Sequence, residues 1–239
     1  DFASREPWNT LITNHQCRFT GYDFIDCAWS DIVTLEDLDQ VDGKLMLHYR
    51  KKISCPIVND EDRYERFRPP LHPRYFFRRL MWSSILSGGH ATYGGLLTFE
   101  PGNNAIQGVH GYYDACKDDR LKKGAHDFNY IHQFFNDTGL TMTGMTPDDA
   151  SVGNQPLKWK CARTETACII YLANPNGTFP ETDNFSYKIP VVKISLPGTN
   201  YVGCWYAPSL GLWSDQFKID TQQPVKAPGF ADWVLLITP

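Results

Sequence analysis

The residues best suited to chemistry lie between Pro56 and Gly95. A short apolar run, Pro56-Ile57-Val58, leads into Asn59-Asp60-Glu61-Asp62-Arg63-Tyr64-Glu65, and Ser87-Gly88-Gly89-His90-Ala91-Thr92-Tyr93-Gly94 follows about 25 residues later. A carboxylate at a strand end with His and Tyr donors beside it stays ionised, as a nucleophile or electrostatic stabiliser must. Glu61 is therefore the candidate catalytic residue, with His90 and Tyr93 as candidate substrate contacts. Two earlier runs have the same form: Leu11-Ile12-Thr13 is followed by His15, and Asp31-Ile32-Val33-Thr34-Leu35 by Glu36. His15 and Glu36 join the candidate substrate-binding set. The plain alternative for the acidic run is a solvated loop.

Positioning such residues takes parallel strands separated by helices, since ligands gather at the C-terminal ends of parallel strands. Helical patterns fall where this needs them. Leu38 to Ile53 is one. Pro73 to Leu86 is another, with Pro at its first turn, Phe76, Leu80 and Ser83 on one face, and Arg78-Arg79 pointing elsewhere in packing or ion-pair roles. Asp127 to Thr138 is a third, with Gly139 placed to cap it. Ala91 to Tyr93 enters the next strand, and Gln16 to Ser30, rich in aromatics, reads as a long loop over the same face. The rhythm is that of a (β/α) barrel.

Beyond Leu140 the texture changes to short β-rich runs split by turn signals such as Asn174-Pro175-Asn176-Gly177 and Pro197-Gly198. The runs begin near Leu157, Ala167, Pro190, Tyr201 and Trp233, and suit an antiparallel β-sandwich. The expected organisation is α/β plus all-β: residues 1–139 forming the C-terminal half of a (β/α)8 barrel and residues 140–239 an accessory β-sandwich. Trp205, Tyr206, Trp213 and Trp233 serve the core or a carbohydrate platform.

At 239 residues the chain has room for one large or two ordinary domains. A net charge of −4 offers no electrostatic footprint for nucleic acid. No apolar run reaches the roughly 18 residues needed to span a bilayer. The seven cysteines form no CxxC pattern. Cys161 and Cys168 flank a turn between two strand-like runs and are a disulfide candidate. Asn136, Asn176 and Asn184 open N-x-[ST] sequons, candidate glycosylation sites that favour a secreted, extracellular protein. His15, Glu36, Glu61 and His90 are residue types of a metal-dependent hydrolase but lack ligand spacing, so neither metal nor cofactor is expected.

The run Pro56 to Glu61 with Tyr64-Glu65, Arg78-Arg79 with Trp82, the run Ser87 to Gly94, Gly124-Ala125, Trp205-Tyr206-Ala207-Pro208 with Gly211, and Asp232-Trp233-Val234-Leu235 occur in an order that resembles the C-terminal part of the apiosidase-like glycoside hydrolases. That family joins a (β/α)8 barrel to a small β-sandwich of collagen-binding type. The resemblance implies a carbohydrate substrate and a two-carboxylate hydrolysis in which Glu61 matches the nucleophile. It also implies a missing partner. A complete barrel takes about 250 residues, so the first half, with the acid/base, belongs to a separate or cleaved chain, and this chain alone is inactive. The opening Asp1 fits a processed or truncated product. The rival expectation is a non-catalytic extracellular protein that binds glycan or matrix.

Overall fold

The computed structural model describes residues 10–15, 21–36, 41–65, 70, 73–94, 122–152, 159–174, 189–198 and 200–239. Its first part alternates strand and helix: β1 (Val33–Glu36), α1 (Lys44–Arg50), β2 (Ile57–Glu61), α2 (Pro73–Leu86) and β3 (His90–Ala91). The three strands form one parallel sheet in the order β1-β2-β3. Among the described residues this sheet does not close into a barrel. Val33, Leu35 and Ile57 pack with Met46 and Tyr49 of α1 and with Tyr22 of the preceding loop into a small core.

Helix α1 is shorter than its sequence pattern because Gly43 stands at its start with φ 68°. A side chain there would meet Ser87 Oγ at 2.1 Å and the Ser83 carbonyl at 2.7 Å, so the start of α1 lies directly against the end of α2. The segment Leu11 to Thr13 is not a strand. It is tied to the start of β1 instead: Asp31 N–H donates to the Ile12 carbonyl at 2.8 Å, Ile12 N–H to the Asp31 carboxylate at 2.8 Å, and Thr13 Oγ1 to the Ile32 carbonyl at 2.6 Å.

Two further helices follow, α3 (Lys122–Ala125) and α4 (Phe128–Thr138). Gly139 ends α4 as expected, left-handed at φ 66° with its N–H on the Phe135 carbonyl at 3.0 Å. The remaining strands are β4 (Thr146–Pro147), β5 (Lys160–Arg163), β6 (Cys168–Leu172), β7 (Val191–Val192), β8 (Tyr201–Ala207), β9 (Leu212–Trp213), β10 (Phe217–Ile219), β11 (Val225–Lys226) and β12 (Trp233–Thr238). They form a seven-stranded antiparallel sheet in the order β10-β8-β12-β6-β5-β4, with β9 on β8, and a two-stranded ribbon of β7 and β11. Among the described residues there is one large antiparallel sheet and this ribbon, and the second sheet of the expected sandwich is not seen.

Helix α2 lies between the two sheets and is buried almost all round, including Arg78 and Arg79. Its sequence looked amphipathic because two arginines interrupt the apolar positions. They are buried: Arg78 is held inside by the carboxylates of the residues just before α4 and just before β12. Trp82, fully buried, stacks at 6.1 Å on Tyr171 of β6 and meets Phe134 of α4 edge-on at 5.1 Å. The large core therefore runs without a break from α2 into the antiparallel sheet.

The expected disulfide is not formed. Cys161 faces Ile170 across the ladder and Cys168 faces Arg163, a diagonal pair with sulfurs 3.4 Å apart. A bond needs about 2.05 Å. The hydrogen bond between the thiols, together with burial, pushes the Cys161 thiol far above its ordinary range. Of the three sequons, Asn136 is exposed on the last turn of α4; Asn176 and Asn184 lie outside the described residues.

Candidate functional site

The C-terminal ends of β1 and β2 bring two carboxylates level with each other. Up to Leu35 the strands run in simple register, Leu35 opposite Asn59, which would set Glu36 opposite Asp60. A bulge between Leu35 and Glu36 moves the pairing on by one residue, so Glu36 lies opposite Glu61. One extra residue re-aims a side chain across a pleat, and bulges are common beside active sites for this reason. The displaced Asp60 keeps its carbonyl satisfied by the Thr92 hydroxyl at 2.6 Å.

His15 completes the group. Anchored by Ile12 and Thr13 on β1, it places Nε2 3.4 Å from Glu61 Oε2 and 3.9 Å from Glu36 Oε2. The other oxygen of Glu61 accepts a hydrogen bond from the Tyr64 hydroxyl. Glu36 and Glu61 expose about a third of their side chains and His15 rather more. This is a carboxylate pair open to solvent, with one member oriented from two sides.

The rest of the acidic run does different work. Asp62 is buried and accepts from Asn59 Nδ2 at 3.1 Å. Glu65 is buried and accepts from the Tyr93 hydroxyl at 2.8 Å and from the Gly124 N–H. A side chain at Gly124 would meet Phe77 at 2.3 Å, Tyr93 at 2.6 Å and Glu65 at 2.8 Å, so only a glycine lets that N–H approach. The alternative of a freely solvated acidic loop does not describe these residues: burial and partners separate Asp62 and Glu65 from the open Glu61.

The candidate residues thus fall into two groups. His15, Glu36 and Glu61 converge. His90 pairs with Val58, three residues before Glu61, and its Nδ1 faces the Ala91 carbonyl at 2.8 Å; Tyr93 is engaged by Glu65. Sequence reasoning assigned no role to Tyr64. Its signal was its place three residues after Glu61, within reach of a strand-end carboxylate once the chain turns.

A second constellation is buried around Arg78 of α2, between the two sheets. Arg78 Nε and Nη2 donate to the two oxygens of Asp232 at 2.7 Å each, and Nη1 donates to Asp127 at 2.5 Å. Arg74 also binds Asp127, and the Tyr171 hydroxyl donates to Asp232 at 2.9 Å. Asp127 therefore does not cap α4 with its side chain. Burial opposes the charge on Arg78, but the paired carboxylates outweigh it and hold the guanidinium above its ordinary range. Burial likewise pushes the Tyr171 phenol up.

This arrangement of elements is similar to the folds of two solved glycoside hydrolase structures. One solved structure, titled "Glycoside hydrolase", matches with a TM-score of 0.62 over 89% of this chain and 53% of its own, at 17% identity. A second, a glycoside hydrolase family 5 protein from Bacteroides vulgatus, matches at 0.62 over 90% of this chain and 51% of its own, at 16% identity. The chain thus spans about half the length of these structures. No protein-family model and no curated protein matches the sequence. Among the described residues no helix is long and apolar enough to cross a membrane.

Proposed function

We propose that the chain is the C-terminal portion of a secreted glycoside hydrolase of the apiosidase-like type. Residues 1–139 supply the later strands of a (β/α)8 barrel, and residues 140–239 supply the sandwich-type accessory domain. The observation that carries this is Glu61: a carboxylate about one-third exposed at a parallel strand end, with Tyr64 on one oxygen and His15 near the other. The fold likeness to glycoside hydrolases about twice as long supports the substrate class.

In the proposed reaction Glu61 attacks the anomeric carbon as the glycosidic bond breaks, and an acid on the N-terminal half protonates the leaving oxygen. Water then releases the sugar from Glu61 as that acid acts as base. Tyr64 aims the carboxylate, leaving Oε2 toward the sugar. His15 and Glu36 hold substrate hydroxyls beside it, with His90 and Tyr93 completing the wall on the β3 side.

Glu61→Gln tests the assignment in the chain combined with its N-terminal half. Hydrolysis of plant or surface glycans falls by roughly 10³-fold or more, the scale seen when a nucleophile is removed. The circular dichroism spectrum stays unchanged. Unaltered turnover excludes Glu61 as nucleophile, and absence of all turnover in the combined wild-type protein favours a non-catalytic glycan-binding role.

A further inference from the structure

His15, Glu36 and Glu61 come from three separate segments, and each offers one ligand atom within 4.8 Å of the other two. We propose that they form a binding site for a transition-metal dication such as zinc or cobalt(II). A tetrahedral ion with bonds near 2.1 Å holds its donors roughly 3.4 Å apart. His15 and Glu61 are already at 3.4 Å. The 3.9 Å between His15 and Glu36 closes with a movement of about 0.5 Å, which partly exposed side chains make by small rotations.

The surroundings suit an ion as well as the spacing does. The Tyr64 hydroxyl occupies Glu61 Oε1, which leaves Oε2 as a single oriented ligand, the role outer hydrogen bonds play in metal centres. The bulge that sets Glu36 opposite Glu61 is what places the second carboxylate on the same side. Solvent access leaves the fourth position to water. One imidazole with two carboxylates favours transition metals over magnesium and calcium, which prefer all-oxygen shells of six or more ligands. An ion here engages the same Oε2 that would attack a sugar, so metal binding and nucleophilic attack exclude each other. The binding itself does not depend on what Glu61 does to a glycoside.

The test is titration of the metal-free 239-residue chain with cobalt(II), followed by its visible absorption, and with zinc, followed by calorimetry. The expected result is one equivalent bound with the intense visible bands of a four-coordinate cobalt site. His15→Ala and Glu36→Gln each weaken binding by roughly tenfold or more. Glu36→Gln keeps the shape of the site and serves if the alanine variant fails to fold. His126→Ala, changed beside Asp127 far along the chain, binds as the wild type does. No saturable binding, or equal affinity in the His15 and Glu36 variants, overturns the site. Neither result bears on glycan hydrolysis, which Glu61→Gln reads separately.

Discussion

The molecule holds two carboxylate clusters that differ in almost every physical respect. Asp127 and Asp232 expose 0% and 2% of their side chains, and their partners include the buried Arg78 and Tyr171. Glu36 and Glu61 are a third exposed, and their shared partner is a histidine more exposed than either. The first cluster is saturated and locks α2 to the start of α4 and to β12. The second keeps oxygen lone pairs accessible. Paired carboxylates are therefore a structural clasp when every oxygen is spent inside the protein, and a candidate site for chemistry when one is left facing solvent.

Breaking the buried cluster gives the largest expected loss of stability. Asp232→Ala leaves Arg78 without its bidentate partner, and removal of one member of a buried pair costs about 3–5 kcal/mol. Urea unfolding reads this directly; a loss below about 1 kcal/mol would mean that the pair is not truly desolvated. Tyr171→Phe removes one hydrogen bond to a charged group and costs about 1.5–3 kcal/mol.

The same tyrosine sets an alkaline limit. Its folded pKa is raised by burial, so the folded state holds the proton more tightly than the unfolded chain. That contribution is fully present below the ordinary tyrosine pKa of about 10 and is lost as pH rises above it. Stability measured across this range falls less steeply in Tyr171→Phe than in the wild type. Equal slopes would remove Tyr171 from the clasp.

Smaller effects sharpen the open cluster. Tyr64→Phe frees Glu61 Oε1 and lowers turnover by about tenfold, the worth of one hydrogen bond to a charged group, with little change in stability. His90→Ala lowers turnover less, because the ring nitrogen of His90 is already directed at the Ala91 carbonyl. Kinetics of the two variants in the combined enzyme rank them, and the reverse order would move the centre of the site toward β3.

What the sequence made legible follows from local rules. Pro73 opens α2, Gly139 closes α4, and apolar runs ending in carboxylates mark β1 and β2. What it hid depends on distance along the chain. Arg78 and Asp232 are 154 residues apart, so nothing near Arg78 announced that it would be buried. The meeting of Glu36 and Glu61 depends on a bulge, and a one-residue shift of register leaves no mark in an apolar run. Leu11 to Thr13 has strand composition, yet the Thr13 hydroxyl and the Asp31 carboxylate take up contacts that a ladder would have used. Cys161 and Cys168 were correctly brought together, but the diagonal register leaves them as thiols.

The proposed hydrolysis requires Glu61, rather than Glu36, to be the nucleophile. Rapid quenching of the combined enzyme during glycan turnover, followed by peptide mass spectrometry, answers this in one experiment. The prediction is a glycosyl adduct on the peptide containing Ile57 to Glu61, located on Glu61 and absent from Glu61→Gln. An adduct on Glu36, or turnover with no adduct on this peptide under conditions that trap the intermediate, would contradict it.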